Sequence, residues 1–208
     1  MSSGKLLRPE AGVTGDLVLC VPSHDVADPE ISIVIPALNE EITIADFVDW
    51  CHIGLARAGV RGEILIVDSS SDTTAAIALD HGARVLRAPK RGLGRAYIDA
   101  IPYVRGQYVL MGDADCTYDF REMSAFVEAF RAGHEFVMGS RFRGYIEPAS
   151  MPPLHRYFGT PVTVKGGVKP DHWGGEKVDH FAGGRCFGLK DLRGRLERRP
   201  ATRLAGRV

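Results

Sequence analysis

Five short apolar runs recur along the chain, and between them apolar positions repeat at helical spacing. Ile31-Ser32-Ile33-Val34-Ile35, closed by Pro36, and Glu63-Ile64-Leu65-Ile66-Val67 are rich in β-branched residues and read as buried strands. Ala83-Arg84-Val85-Leu86, Gln107-Tyr108-Val109-Leu110-Met111 and Glu135-Phe136-Val137-Met138 supply three more. After the first strand, Ala45, Val48, Cys51 or His52, Leu55 and Ala58 share one helical face, with Asn39 placed to cap the helix and Gly59 to end it. Asp72 is placed to cap a second helix, Thr73 to His81, which Gly82 stops. A third helix is expected from about Arg95 to Val104, and a fourth, amphipathic one from Phe120 to Ala132. Strand and helix thus alternate about five times. That pattern predicts a doubly wound, mostly parallel α/β sheet joined by right-handed crossovers.

Parallel strands send their strand-to-helix loops to one edge, where ligands of open α/β sheets bind. Asn39, Glu40, Asp68, Asp72, Lys90, Arg91, Gly92, Gly94, Asp113, Asp115 and Arg141 therefore converge. Asp113 and Asp115 carry the sharpest chemistry. Residues i and i+2 of an extended chain project from one face with Cα atoms roughly 6–7 Å apart, so the two carboxylates address one small target and suit a divalent cation. Asp is also a common turn former, which is the plain alternative for the pair. The loop after the first strand lacks G-x-G-x-x-G, and no P-loop is present. Gly92-Leu93-Gly94 opens the third helix and offers free N–H groups to a phosphate.

Taken in order, Ile33-Val34-Ile35-Pro36-Ala37-Leu38-Asn39-Glu40-Glu41, Ile66-Val67-Asp68-Ser69-Ser70-Ser71-Asp72-Thr73-Thr74, Arg91-Gly92-Leu93-Gly94-Arg95-Ala96 and Met111-Gly112-Asp113-Ala114-Asp115 resemble the inverting glycosyltransferases of family 2, which have a GT-A fold. Gly139-Ser140-Arg141-Phe142 resembles the dolichyl- or polyprenyl-phosphate mannose and glucose synthase branch. The resemblance spans residues 31 to about 160. It implies that Pro36, Leu38 and Glu40, with Ala37, line the base and ribose of a nucleotide sugar, that Val67 and Asp68 lie on the base, and that Gly94 belongs to the same set. It further implies that Asp113, Ala114 and Asp115 hold the ribose-diphosphate end, with Asp113 and Asp115 as ligands of Mg²⁺ or Mn²⁺. Asp115 and Arg141 would be the catalytic residues, one through the metal and the other as a fixed cation.

Composition limits the remaining readings. The chain has 208 residues, 45% hydrophobic and 25% charged, as in globular proteins. Its zero net charge conceals a split, with residues 1–151 at −7 and residues 152–208 at +7. The basic end suits an anionic partner, but it lacks the interleaved aromatics of nucleic-acid binders, so none is expected to bind. A phosphate monoester acceptor needs no general base, since it is already anionic. His155, Arg156 and Lys165 suit polyprenyl or dolichyl phosphate at a membrane surface. No apolar run approaches a transmembrane span, and four scattered cysteines fit a reducing compartment. The expected location is cytoplasmic, peripheral to the inner face of a membrane. By domain, residues 1–30 read as a flexible lead-in in which Leu17–Val21 is able to pair as an edge strand, 31–160 as the nucleotide-sugar domain, and 161–208 as a divergent acceptor-side segment. Residues 165–208 hold 9 Gly and 14 apolar residues among 44, with no helical stripe. Two readings of that segment stand: a shortened, divergent synthase, or a truncated or frame-damaged fragment that binds nucleotide sugar without turnover.

Overall fold

A computed structural model describes residues 16–116 and 118–139 in full, and the backbone of strands at 5–7, 176–178 and 187–190. The elements are β1 (Lys5–Leu7), β2 (Val18–Val21), β3 (Ile31–Ala37), α1 (Ile44–Ala58), β4 (Gly62–Asp68), α2 (Thr74–Asp80), β5 (Arg84–Arg87), α3 (Leu93–Ala100), β6 (Tyr108–Met111), α4 (Ser124–Arg131), β7 (Phe136–Gly139), β8 (Glu176–Val178) and β9 (Phe187–Lys190). The strands form one sheet in the order β1-β2-β5-β4-β3-β6-β9-β7-β8.

Its centre is the expected parallel sheet: β5, β4, β3 and β6 run side by side, with Ile31 opposite both Gly62 and Tyr108. The flanks differ. β2 and β9 run antiparallel to their neighbours, and β9 separates β6 from β7. Val18–Val21 is thus a strand inside the sheet, with Leu17 and Leu19 buried. Residues beyond 161 also supply two strands to the same sheet. Because β9 is antiparallel to both β6 and β7, those two strands point the same way. The C-terminal end of β7 therefore lies at the same edge as the ends of β3 to β6.

Ile31, Ile33 and Ile35 on one side of β3 pack with Phe47, Phe120, Phe126 and Phe130 beneath α1 and α4. Val34, Leu65, Leu86 and Val109 face α3 on the other side. Each such side chain, fully buried, contributes roughly 1.5–3 kcal/mol. The α1 face is Ile44, Phe47, Val48, Cys51 and Leu55, while His52 is exposed. The helix starts later than Asn39 would place it. Thr43 is the N-cap residue, and Asn39 sits in the left-handed region at φ 58°. Its peptide N–H donates to Ser70 Oγ (2.7 Å) and its Oδ1 accepts from Ser71 N (3.1 Å), so Asn39 joins two loops instead of capping a helix. Pro102 shortens the third helix: α3 ends at Ala100 and a 3₁₀ turn follows over Ile101–Tyr103. The fourth is likewise divided into a 3₁₀ turn, Phe120–Glu122, and α4.

The edge of the sheet opposite the loops is closed by charge. Buried Glu63 accepts from Ser32 Oγ (2.5 Å), Arg84 (2.6 Å), and both the backbone N and Nε of Arg105 (2.8 and 2.6 Å). Arg105 in turn grips Asp25 with two further hydrogen bonds. This network ties the starts of β3, β4 and β5 to the segment before β3, leaving the other edge to build a site.

Candidate functional site

Four strand ends meet at that edge, and the turns after them are bonded to one another. Ser69 N donates to the Ala37 carbonyl (3.1 Å), Glu40 N to Thr74 Oγ1 (2.9 Å), and Thr73 Oγ1 to Glu41 (2.8 Å). Asp72 accepts from the N–H and hydroxyl of Thr74. Those bonds, the Thr74 hydroxyl first, hold the Asp72 carboxyl below its ordinary pKa. The loops after β3 and β4 thus form one wall.

A second wall follows β5. Ala88 N donates to the Asp68 carbonyl (2.9 Å), after which Lys90, Arg91 and Gly92 lead into α3, with Gly92 at φ 91°. Asp99, buried on α3, accepts from Arg91 (2.9 Å) and Arg95 (2.7 Å). One carboxylate holding two guanidiniums anchors the loop to the helix and leaves Lys90 exposed. The third wall is the end of β6. Burial alternates there: Gly112 and Ala114 are buried, Asp113 is half-buried and Asp115 exposed. Both carboxylates accordingly face outward on either side of a buried alanine, as residues i and i+2 should. Cys116 then turns the chain at φ 56°, with its thiol toward the Thr43 carbonyl (3.7 Å).

Between these walls lies a cavity of about 300 Å³. Of the residues expected in the site, Pro36, Ala37, Leu38, Glu40, Val67, Asp113, Ala114 and Asp115 line it. Asp68 stands behind the lining: it is fully buried, and its carboxylate accepts from Arg87 and from Ser70 N (3.3 Å). Gly94 is the second residue of α3 and is not part of the lining. Arg141, His155, Arg156 and Lys165 fall outside the described residues. The lining also takes in Lys90 and Gly92, both expected at this edge, with Leu93 of the same glycine turn, and adds Ser69 and Ala96. Position was the available signal for those two: Ser69 follows the last residue of β4, and Ala96 lies near the start of α3.

The cavity is polarised. Lys90 and the N-terminal end of α3 stand on the positive side, Asp113 and Asp115 on the negative. The apolar Pro36, Leu38 and Val67 make a slot suited to a flat ring. Among the described residues no three of His, Cys, Asp and Glu converge as a metal cage. Two hard carboxylate oxygen donors in an open cavity still fit Mg²⁺ or Mn²⁺, whose remaining positions are commonly filled by phosphate oxygens and water.

A family model described as Glycosyl transferase family 2 matches residues 32–193, extending past the point near residue 160 where the motifs alone cease to resemble it. Among curated proteins, a Haloferax volcanii protein named low-salt glycan biosynthesis hexosyltransferase Agl6 is 44% identical over 153 residues, covering 73% of this chain and 37% of its own. A dolichyl-phosphate hexose transferase of the same organism is 31% identical over 127 residues, covering 61% of this chain and 54% of its own. The chain therefore spans roughly a third to a half of the length of these relatives. Among solved structures, mannosyl-3-phosphoglycerate synthase from Rubrobacter xylanophilus aligns with TM-score 0.54 and 26% identity, over 78% of this chain and 54% of that one. Glucosyl-3-phosphoglycerate synthase from Mycobacterium tuberculosis, solved with Mn²⁺, UDP-glucose and phosphoglyceric acid, aligns with TM-score 0.54 and 20% identity, over 79% and 58%. These neighbours share the GT-A arrangement.

Proposed function

The chain belongs to glycosyl transferase family 2, and we propose that it moves a hexose from a nucleotide sugar to polyprenyl or dolichyl phosphate with inversion at the sugar carbon. The observation that carries this reading is the polarised cavity, with an apolar slot at Pro36, Leu38 and Val67, carboxylates at Asp113 and Asp115, and a cation at Lys90. The name of the dolichyl-phosphate relative supports the acceptor class. In this reading the base lies in the slot with Glu40 at the ribose, and the diphosphate lies between the acidic and basic walls.

Asp113 and Asp115 would hold Mg²⁺ or Mn²⁺, which when bound would neutralise charge on the departing nucleoside diphosphate. Lys90 and the N-terminal end of α3 add fixed positive potential to the same group. The acceptor phosphate is already a nucleophile and needs no proton removed. What the protein must supply is alignment of one phosphate oxygen with the sugar carbon, on the side opposite the leaving group. Arg141 supplies a cation for a phosphate in this scheme, a role that rests on the motif it belongs to. Work at a lipid surface follows from the proposed acceptor; no described helix is long and apolar enough to cross a membrane.

Incubation with UDP-glucose or GDP-mannose, Mg²⁺ and a polyprenyl phosphate is expected to yield lipid-linked sugar. Binding of UDP or GDP is expected to be strengthened by the metal, and Asp115→Ala to abolish that strengthening. Asp115 is exposed, so its truncation should change stability by no more than about 0.5 kcal/mol. Failure to transfer from any donor would defeat the reading as an enzyme. Metal-dependent nucleotide binding that survives Asp115→Ala would remove the carboxylate pair from the site.

A further inference from the structure

The two carboxylates are fixed from behind by a side chain of α3. Tyr97 Oη donates to the carbonyl of Gly112 at 3.0 Å, and Gly112 is the residue immediately before Asp113. Gly112 is confined on a second side as well. A Cβ placed there would lie 2.9 Å from Cζ of Phe120 and 3.1 Å from its Cε2. Phe120 cannot easily withdraw, because it is fully buried and packs edge-on against Phe47 with ring centroids 5.0 Å apart. The peptide leading into Asp113-Ala114-Asp115 is thus held between a hydroxyl and a rigid ring. The next anchor is Ala114, 3% exposed, between the two carboxylates.

We propose that Tyr97 is a positioning residue for the metal end of the donor site, acting through the Gly112 carbonyl to set the separation and direction of the Asp113 and Asp115 carboxylates. The inference rests on the donor-site reading above. Two carboxylates form an incomplete set for Mg²⁺ or Mn²⁺, so affinity depends on their being held in place before the ion arrives. The α3 helix serves both sides of the cavity. Its first turn carries Leu93 and Ala96 of the lining, Asp99 tethers the loop of Lys90 through Arg91, and Tyr97 reaches the opposite wall. A shift of α3 would therefore move the cation and the carboxylates together.

Tyr97→Phe removes the hydroxyl and keeps the ring. Uptake of Mn²⁺ is followed by the loss of the free-ion electron paramagnetic resonance signal, with UDP or GDP present, and metal-free nucleotide binding is measured by calorimetry in chelator. The variant is expected to weaken Mn²⁺ uptake about fivefold, the loss of one ordinary hydrogen bond. Metal-free nucleotide affinity should stay within about twofold, and the urea midpoint should fall only by as much as the loss of one hydrogen bond implies. Gly112→Ala, which presses on Phe120, should weaken Mn²⁺ uptake by a second route, and the two changes together should cost less than their sum. Unchanged Mn²⁺ uptake in Tyr97→Phe overturns the inference and leaves the donor reading standing. Equal losses with and without metal also overturn it, as the mark of a merely structural role. If the unaltered protein takes up no Mn²⁺ with either nucleotide, the donor reading fails and this inference with it.

Discussion

The Arg87 guanidinium holds the fully buried carboxylate of Asp68, and its second nitrogen donates to the Ser70 carbonyl at 3.1 Å. One side chain at the end of β5 thereby closes the turn that leaves β4.

Arg87→Ala should strand a buried carboxylate that keeps the Ser70 N–H as a donor. Breaking a buried pair costs about 3–5 kcal/mol, but Arg87 is 42% exposed, so solvent screening brings the expected loss to roughly 2–3 kcal/mol. Urea unfolding checks it. Asp68→Asn in the same background should recover part of the loss, because the stranded charge is gone. A shift below roughly 0.5 kcal/mol for Arg87→Ala would mean that water replaces the arginine at no cost.

Glu63 offers a contrasting case at the far edge of the sheet. Its side chain is 1% exposed and gathers Arg84, Arg105 and Ser32. Glu63→Ala leaves those donors without their shared acceptor and should cost roughly 3–5 kcal/mol. The position lies at the strand starts, away from the cavity. Nucleotide affinity of the folded fraction is therefore expected to stay within about twofold, roughly 0.4 kcal/mol.

Acid stability has a local source at Asp119. Hydrogen bonds from Arg121, above all from its guanidinium, hold this carboxyl below its ordinary value of 3.8. A carboxyl whose pKa is lower folded than unfolded adds stability above its unfolded value, and that stability is lost as pH falls through the folded value. The contribution should be present above about pH 4 and fade below it. Asp119→Asn should flatten the acid limb of a stability-pH curve there while leaving its neutral slope alone. Because Asp119 is 39% exposed, the effect is expected to be small.

Cys116 reports on the charge beside it. Burial pushes its thiol above the ordinary 9.0, and Asp46, Asp115 and Glu40 repel the thiolate further. Site-resolved alkylation near pH 8 should be slow at Cys116. Asp115→Asn removes one of those negative charges, so it should lower the thiol pKa and raise the rate. A rate that stays the same would separate Cys116 electrically from the carboxylate pair.

The parallel centre of the sheet was legible because buried parallel strands read as continuous apolar runs, as Ile31–Ile35 and Glu63–Val67 do. The cavity was legible in large part for the same reason, since strand ends fix where loops meet. Asn39 was misjudged as a cap because local preference does not reveal cross-loop bonds such as those to Ser70 and Ser71. Arg87 escaped notice because its role depends on β5 lying beside β4, a pairing between distant segments. Pro102 is the local signal for the early end of α3, since a proline at that position breaks the helix. The pairing of β9 between β6 and β7 had no local signal in its four residues at all.

The placement of β9 also orders events in time. Synthesis completes β7 at Gly139, yet its antiparallel neighbour begins at Phe187. At ~5–20 residues per second, the growing chain spends roughly 4–15 s between Met111 and Phe187 with the β6 edge, Tyr108 to Met111, unpaired on that side. An apolar strand edge open for seconds is a template for unwanted pairing. Ribosome-bound chains halted before Phe187 should exchange quickly those β6 amides that face β9, and protect them once Lys190 has emerged. The interval between those two states is when this protein is most exposed to aggregation and most in need of a chaperone.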